Sequence, residues 1–102
     1  MSRALELAQS YCVGVRFADL GDWGDAQLYS EYDPRVPEIV INARVARRLD
    51  ATRRREFVEL AVGHELYHHR EAIGEVVSPS ERIAREAAAD AYARELRNRP
   101  AQ

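Results

Sequence analysis

Apolar and polar positions along the chain follow two rhythms, and the switch between them divides it near residue 50. Ala4, Leu5, Leu7 and Ala8 recur at helical spacing and predict a short amphipathic helix over 2–10. The stretch 11–17 (YCVGVRF) is aromatic and β-branched and runs into a turn region at 19–25 containing Gly21 and Gly24, so it reads as a strand. A second strand is expected over 26–32, where Leu28 and Ser30 alternate with Tyr29 and Glu31. A third follows Pro37, because Glu38-Ile39-Val40-Ile41 is the most strand-like run in the chain. Asn42 then stands where an N-cap opens a helix over 43–49.

Beyond that point the period is helical. Asp50 or Thr52 can cap a long helix in which Phe57, Leu60, Ala61, His64 and His68 share one face, and Gly74 ends it. Ser78-Pro79-Ser80-Glu81 has the form of a capping box with proline at the first helical position. It announces a last helix over 83–96, rich in alanine and free of glycine and proline. The pattern predicts a single α+β domain over residues 1–102. Its small three-stranded, mostly antiparallel sheet packs on the long helix and the C-terminal helix.

Composition narrows the classes. A chain of 102 residues, 46% hydrophobic and 31% charged, supports one modest core and excludes disorder and a multidomain enzyme. Its 15 basic residues are all arginine, and 17 acidic residues leave a net charge of −2. Cys12 is the single cysteine and is expected in the core; with no CxxC pair, a reducing compartment fits best. No apolar run suits a signal peptide or a membrane span, so a cytoplasmic protein without a membrane partner is expected. Arg47, Arg48, Arg53, Arg54 and Arg55 cluster, but Glu56 and Glu59 follow and no groove-reading motif appears. Nucleic acid is therefore not expected as a partner.

All 3 histidines lie between positions 64 and 69, and His64-Glu65-Leu66-Tyr67-His68 is an H-E-x-x-H motif within the long helix. Positions four apart differ by about 40° around a helix axis, so His64 and His68 project from one side and can share a zinc ion. Glu65 sits on the flank of that face, placed to act as general base toward a zinc-bound water without being a ligand. His69 projects about 100° from His68 and is expected at the surface or in support of a ligand.

A catalytic zinc takes three protein ligands and keeps a position open for water. The extended H-E-x-x-H-x-x-G-x-x-H form is excluded, because position 71 is Glu and position 74 is Gly. A carboxylate must serve, and Glu71, Glu75, Glu81, Glu86, Asp90 and Glu95 all follow the motif. Glu86 and Asp90 stand out. They lie four apart on a helix lined by Ala84, Ala87, Ala88, Ala89, Ala91 and Ala93, small enough to approach the first helix closely. Glu86 is expected to bind the metal and Asp90 to hold the free ring nitrogen of a ligand histidine.

HELYH followed by EAAADAYARELRNRP resembles the gluzincin signature, and in particular the ImmA/IrrE family of small bacterial and phage zinc peptidases. Glu86, Ala89, Asp90, Tyr92, Ala93, Leu96 and Pro100 carry the likeness in the second motif. The resemblance implies a zincin-like minimal core with zinc on His64, His68 and Glu86, a general base at Glu65 and a supporting carboxylate at Asp90. It also implies a protein substrate such as a repressor-type regulator. That substrate is expected to pair as an extended strand along the sheet edge, at the strand 37–42.

Larger gluzincins carry a second subdomain after this helix that walls the cleft and supplies an oxyanion donor. Here only Tyr11, Tyr29, Tyr32, Tyr67 and Tyr92 could give a phenol, and Tyr92 is expected in the core. A second expectation therefore stands beside the first: a zincin-fold protein-interaction domain of weak or absent activity that keeps zinc as structure. A second copy or a partner chain could complete the cleft.

Overall fold

In the computed structural model, residues 2–22 and 28–98 are described. The elements run α1 (Arg3–Ser10), β1 (Gly14–Ala18), β2 (Ser30–Asp33), β3 (Glu38–Asn42), α2 (Ala43–Ala46), α3 (Ala51–Ala72) and α4 (Arg82–Asn98). The α+β reading holds at this level. Part of the expected 19–25 turn and the first two residues of the expected second strand lie outside the described residues, and β2 begins only at Ser30.

The sheet is mixed rather than mostly antiparallel. Its order is β1-β3-β2; β1 runs parallel to β3 from Gly14↔Glu38 to Ala18↔Asn42, and β2 runs antiparallel from Ser30↔Ile41 to Asp33↔Glu38. The cause is burial. Ile39, Val40, Ile41 and Asn42 are all buried, whereas β1 and β2 alternate between partly covered and exposed positions, so β3 takes the centre. A tight turn folds β2 onto one side of β3 and leaves the other side to β1, whose chain direction matches that of β3. Because β3 is paired on both sides, it cannot be the edge onto which another strand adds. That edge is β1 or β2.

Ser2 caps α1 by accepting from the Leu5 amide at 3.2 Å, and Ala4 and Ala8 face the core. The helix closes at Cys12, whose φ of 58° is left-handed, and the reversal turns Val13 inward. Cys12 itself is exposed, not in the core.

Asn42 does more than cap α2. Buried at 1% exposure, it accepts through Oδ1 from the amides of Arg44 and Leu20, both at 3.1 Å. Its Nδ2 donates to the carbonyls of Gly21 at 3.1 Å and Leu28 at 2.8 Å. One side chain thus ties the segments on both sides of the turn region to the end of β3.

Asp50 caps α3 through the Arg53 amide at 2.9 Å, and Gly74, at φ 80°, follows its last turn. The face of α3 turned to the sheet and α1 is built from Val58, Val62 and Leu66, which join Ile39, Ile41, Val13 and Leu96 in the core. Of the face expected to be buried, Ala61 is buried and Phe57 packs against the core, while Leu60, His64 and His68 are only partly covered; all five line a cavity. His69 is not at the surface. At 6% exposure it lies against the rings of Tyr11 and Tyr32, and its Nδ1 is 2.7 Å from the Tyr32 hydroxyl.

Helix α4 runs Arg82–Asn98, one residue before and two beyond the expected 83–96. Its Ala89 and Ala93 are buried against α3. The closest approach is at Gly63, where a Cβ would stand 2.9 Å from the Ala93 Cα and 3.0 Å from its Cβ. Gly63 immediately precedes the H-E-x-x-H motif, so this contact sets how near α4 comes to the histidines. Among the described residues, no helix is long and apolar enough to cross a membrane.

Candidate metal centre

Helix α3 supplies His64 and His68, and α4 supplies Glu86 and Asp90. Their ring planes stand at 71° with centroids 5.0 Å apart, which aims both Nε2 atoms at one region, 3.3 Å from each other. Glu86 Oε2 completes a triangle, 2.8 Å from His64 Nε2 and 3.4 Å from His68 Nε2.

The opposite ring nitrogens decide what that triangle is. His64 Nδ1 lies 2.6 Å from Asp90 Oδ1, and His68 Nδ1 lies 2.7 Å from Glu71 Oε1. An ionised carboxylate can only accept, so each Nδ1 carries a proton, and a ring protonated there alone turns a lone pair inward through Nε2. With both rings in that tautomer, three acceptors converge. A proton on His64 Nε2 would satisfy the short edge to Glu86. A divalent cation satisfies all three. A tetrahedral zinc with bonds of about 2.0–2.1 Å has ligand–ligand edges of about 3.3–3.4 Å, and two of the three edges here have that length. The donor set of two imidazoles and a carboxylate suits zinc.

Glu71 is the supporting residue that sequence reasoning missed, having counted it only among possible third ligands. Its side chain is 5% exposed, and it also lies 3.4 Å from Arg85 Nε. Burial opposes its ionisation, but the hydrogen bond from His68, the polar Ser78 and the positive charge of Arg85 together outweigh burial and hold its carboxyl below the usual range. It is therefore the charged acceptor that His68 needs. We expect Glu71→Gln to weaken metal binding by about 10–100-fold while the helices stay folded, as read by competition with a chelating dye. Unchanged affinity would remove Glu71 from the site.

Glu65 faces the sheet side of the same helix turn and is 6% exposed. One of its oxygens and the two histidine nitrogens lie within 4.8 Å of one another. Burial pushes its carboxyl above the usual range, against the opposing effect of a hydrogen bond that the Ser30 hydroxyl donates to Oε2 at 2.6 Å. Glu65 and His68 line two cavities. The larger, about 930 Å³, extends over Tyr29, Val45, Leu49, Phe57 and Leu60; the smaller, about 470 Å³, is bounded by Tyr32, Pro34 and Arg85.

Of the phenols, Tyr29 lines the larger cavity, Tyr32 is engaged by His69, and Tyr92 packs beside the core under the Arg70 guanidinium. Four arginines of the cluster have local partners. Arg47 and Arg48 face Asp19 and Asp22, Arg53 faces Asp50, and Arg54 donates to the Ala46 and Leu49 carbonyls.

No protein-family model, curated protein or solved structure matches this chain.

Proposed function

We propose that this chain is a zinc-dependent metallopeptidase, a minimal domain of gluzincin type that hydrolyses a peptide bond in a protein substrate. The reading is supported above all by three acceptor atoms, His64 Nε2, His68 Nε2 and Glu86 Oε2, converging while carboxylates occupy both Nδ1 atoms. Zinc held by these three residues would act as a Lewis acid and lower the pKa of a bound water to about 7. Glu65 takes the proton from the attacking water and passes it to the leaving amine, a task suited to a shielded carboxylate within reach of the histidines. Asp90 and Glu71 keep the two imidazoles in the tautomer that leaves Nε2 free.

The substrate enters as an extended strand along β2, since β3 is enclosed on both sides and Ser30 at the start of β2 touches Glu65. A side chain beside the scissile bond then enters the larger cavity, between Phe57, Leu60 and Leu49. A cytoplasmic regulator of repressor type is the substrate class that fits the resemblance in the two motifs.

Metal analysis tests the reading. The purified chain is expected to hold one zinc, and His64→Ala and His68→Ala to hold none. A folded, metal-free wild type that takes up no zinc on titration would sink it.

A further inference from the structure

Ser30 lies outside everything the sequence assigns to the site, yet its hydroxyl donates to the Glu65 carboxylate at 2.6 Å across 35 residues of chain. Resting on the metal reading above, we propose that Ser30 is the positioning residue that makes Glu65 a proton acceptor rather than a fourth metal ligand.

The geometry leaves Glu65 a choice. Its carboxylate is already within 4.8 Å of both histidine nitrogens, so a side-chain rotation is enough to bring an oxygen onto a cation held between them. A dication attracts any carboxylate that reaches it, and a fourth protein ligand would fill the position water needs. Ser30 opposes that rotation from a fixed point. It pairs with Ile41 in the ladder, and the neighbouring Tyr29 carbonyl accepts from the Asn42 amide at 2.8 Å, so the hydroxyl cannot follow the carboxylate if it swings away. A short hydrogen bond from a hydroxyl to a carboxylate is among the stronger neutral-to-charged bonds in a protein. Without it, buried Oε2 has lost its donor and the cation is its best remaining partner. The edge strand thus sets the role of the base as well as offering backbone to a substrate.

Cobalt(II) in place of zinc tests this, because its visible bands shift when a carboxylate replaces water among its ligands. Ser30→Ala is expected to bind cobalt at least as tightly as wild type, with shifted bands. Its kcat on fluorescein-labelled casein is expected to fall by at least about tenfold. Ser30→Thr, which keeps the hydroxyl and suits a strand, restores both spectrum and kcat. Ser30→Cys, similar in shape but a weak donor, repeats the spectral change with little alteration to β2. In a Glu65→Ala background, Ser30→Ala changes the cobalt spectrum no further.

A Ser30→Ala spectrum identical to wild type overturns the inference and leaves the metal centre standing. Cobalt bound by no variant, wild type included, overturns the metal reading and this inference with it.

Discussion

Glu65→Gln is expected to keep a bound metal and to lose hydrolysis. Gln has nearly the shape of Glu, and its carbonyl can still accept the Ser30 hydroxyl, so α3, the cavity and the three converging acceptors are undisturbed. The ability to take a proton is what disappears. General-base assistance is worth about 10²–10⁴-fold, so the rate on an unfolded protein substrate should fall by at least that range while zinc content stays at one per chain. The measurement pairs metal analysis with cleavage of labelled casein by wild type and variant. Equal cleavage by the two would exclude Glu65 as the base. No cleavage by either, with zinc retained by both, would favour a zincin-fold interaction domain whose metal is structural.

Gly63→Ala tests how the centre is assembled. Alanine is the better helix former by about 1 kcal/mol, which taken alone predicts a stabilised helix. Packing reverses the sign. The new methyl would stand 2.9 Å from the Ala93 Cα, a backbone atom that cannot rotate away, so α4 must move as a body. Overpacking of this kind costs about 1–3 kcal/mol, and Glu86 and Asp90 travel with the helix. We expect a Tm lower by at least about 5 °C together with zinc affinity weakened by at least about tenfold. A Gly63→Ala Ala93→Gly double variant should recover part of both, because it removes the facing methyl at 3.0 Å. A Gly63→Ala protein that is more stable and binds zinc normally would mean the two helices are not held apart by this contact.

Local features were the legible part. Asn42 and Asp50 cap helices where their positions before apolar-periodic runs indicated. Glu86 and Asp90 stand beside His64 because a four-residue spacing on an alanine-rich helix puts both on its inner side. What escaped depends on partners distant in the chain. A strand's own residues do not announce whether its neighbour runs parallel, so the pairing of β1 with β3 could not be read from 11–17 and 37–42 separately. His69 looked exposed because its own helix offers no companion on that side; Tyr11 and Tyr32 supply one from elsewhere. Gly63 reads as a mildly unfavourable helix residue until Ala93 is placed against it. Ser30 is an ordinary strand residue until Glu65 is buried beside it, and Glu71 was mistaken for a ligand competitor because Ser78 and Arg85 come from outside its helix.

An open strand edge does not choose its visitor, and β2 would accept a second copy of this chain as readily as a substrate if backbone groups were all that mattered. Its brevity and its charges discriminate. Only Ser30–Asp33 is extended, and Glu31 is exposed there, while Asp33 is paired with Arg35. Two copies laid edge to edge would bring carboxylates together. The edge is thereby poorly suited to growing into a fibre, and a chain arriving with basic side chains meets opposite charge where a copy of β2 would meet its own.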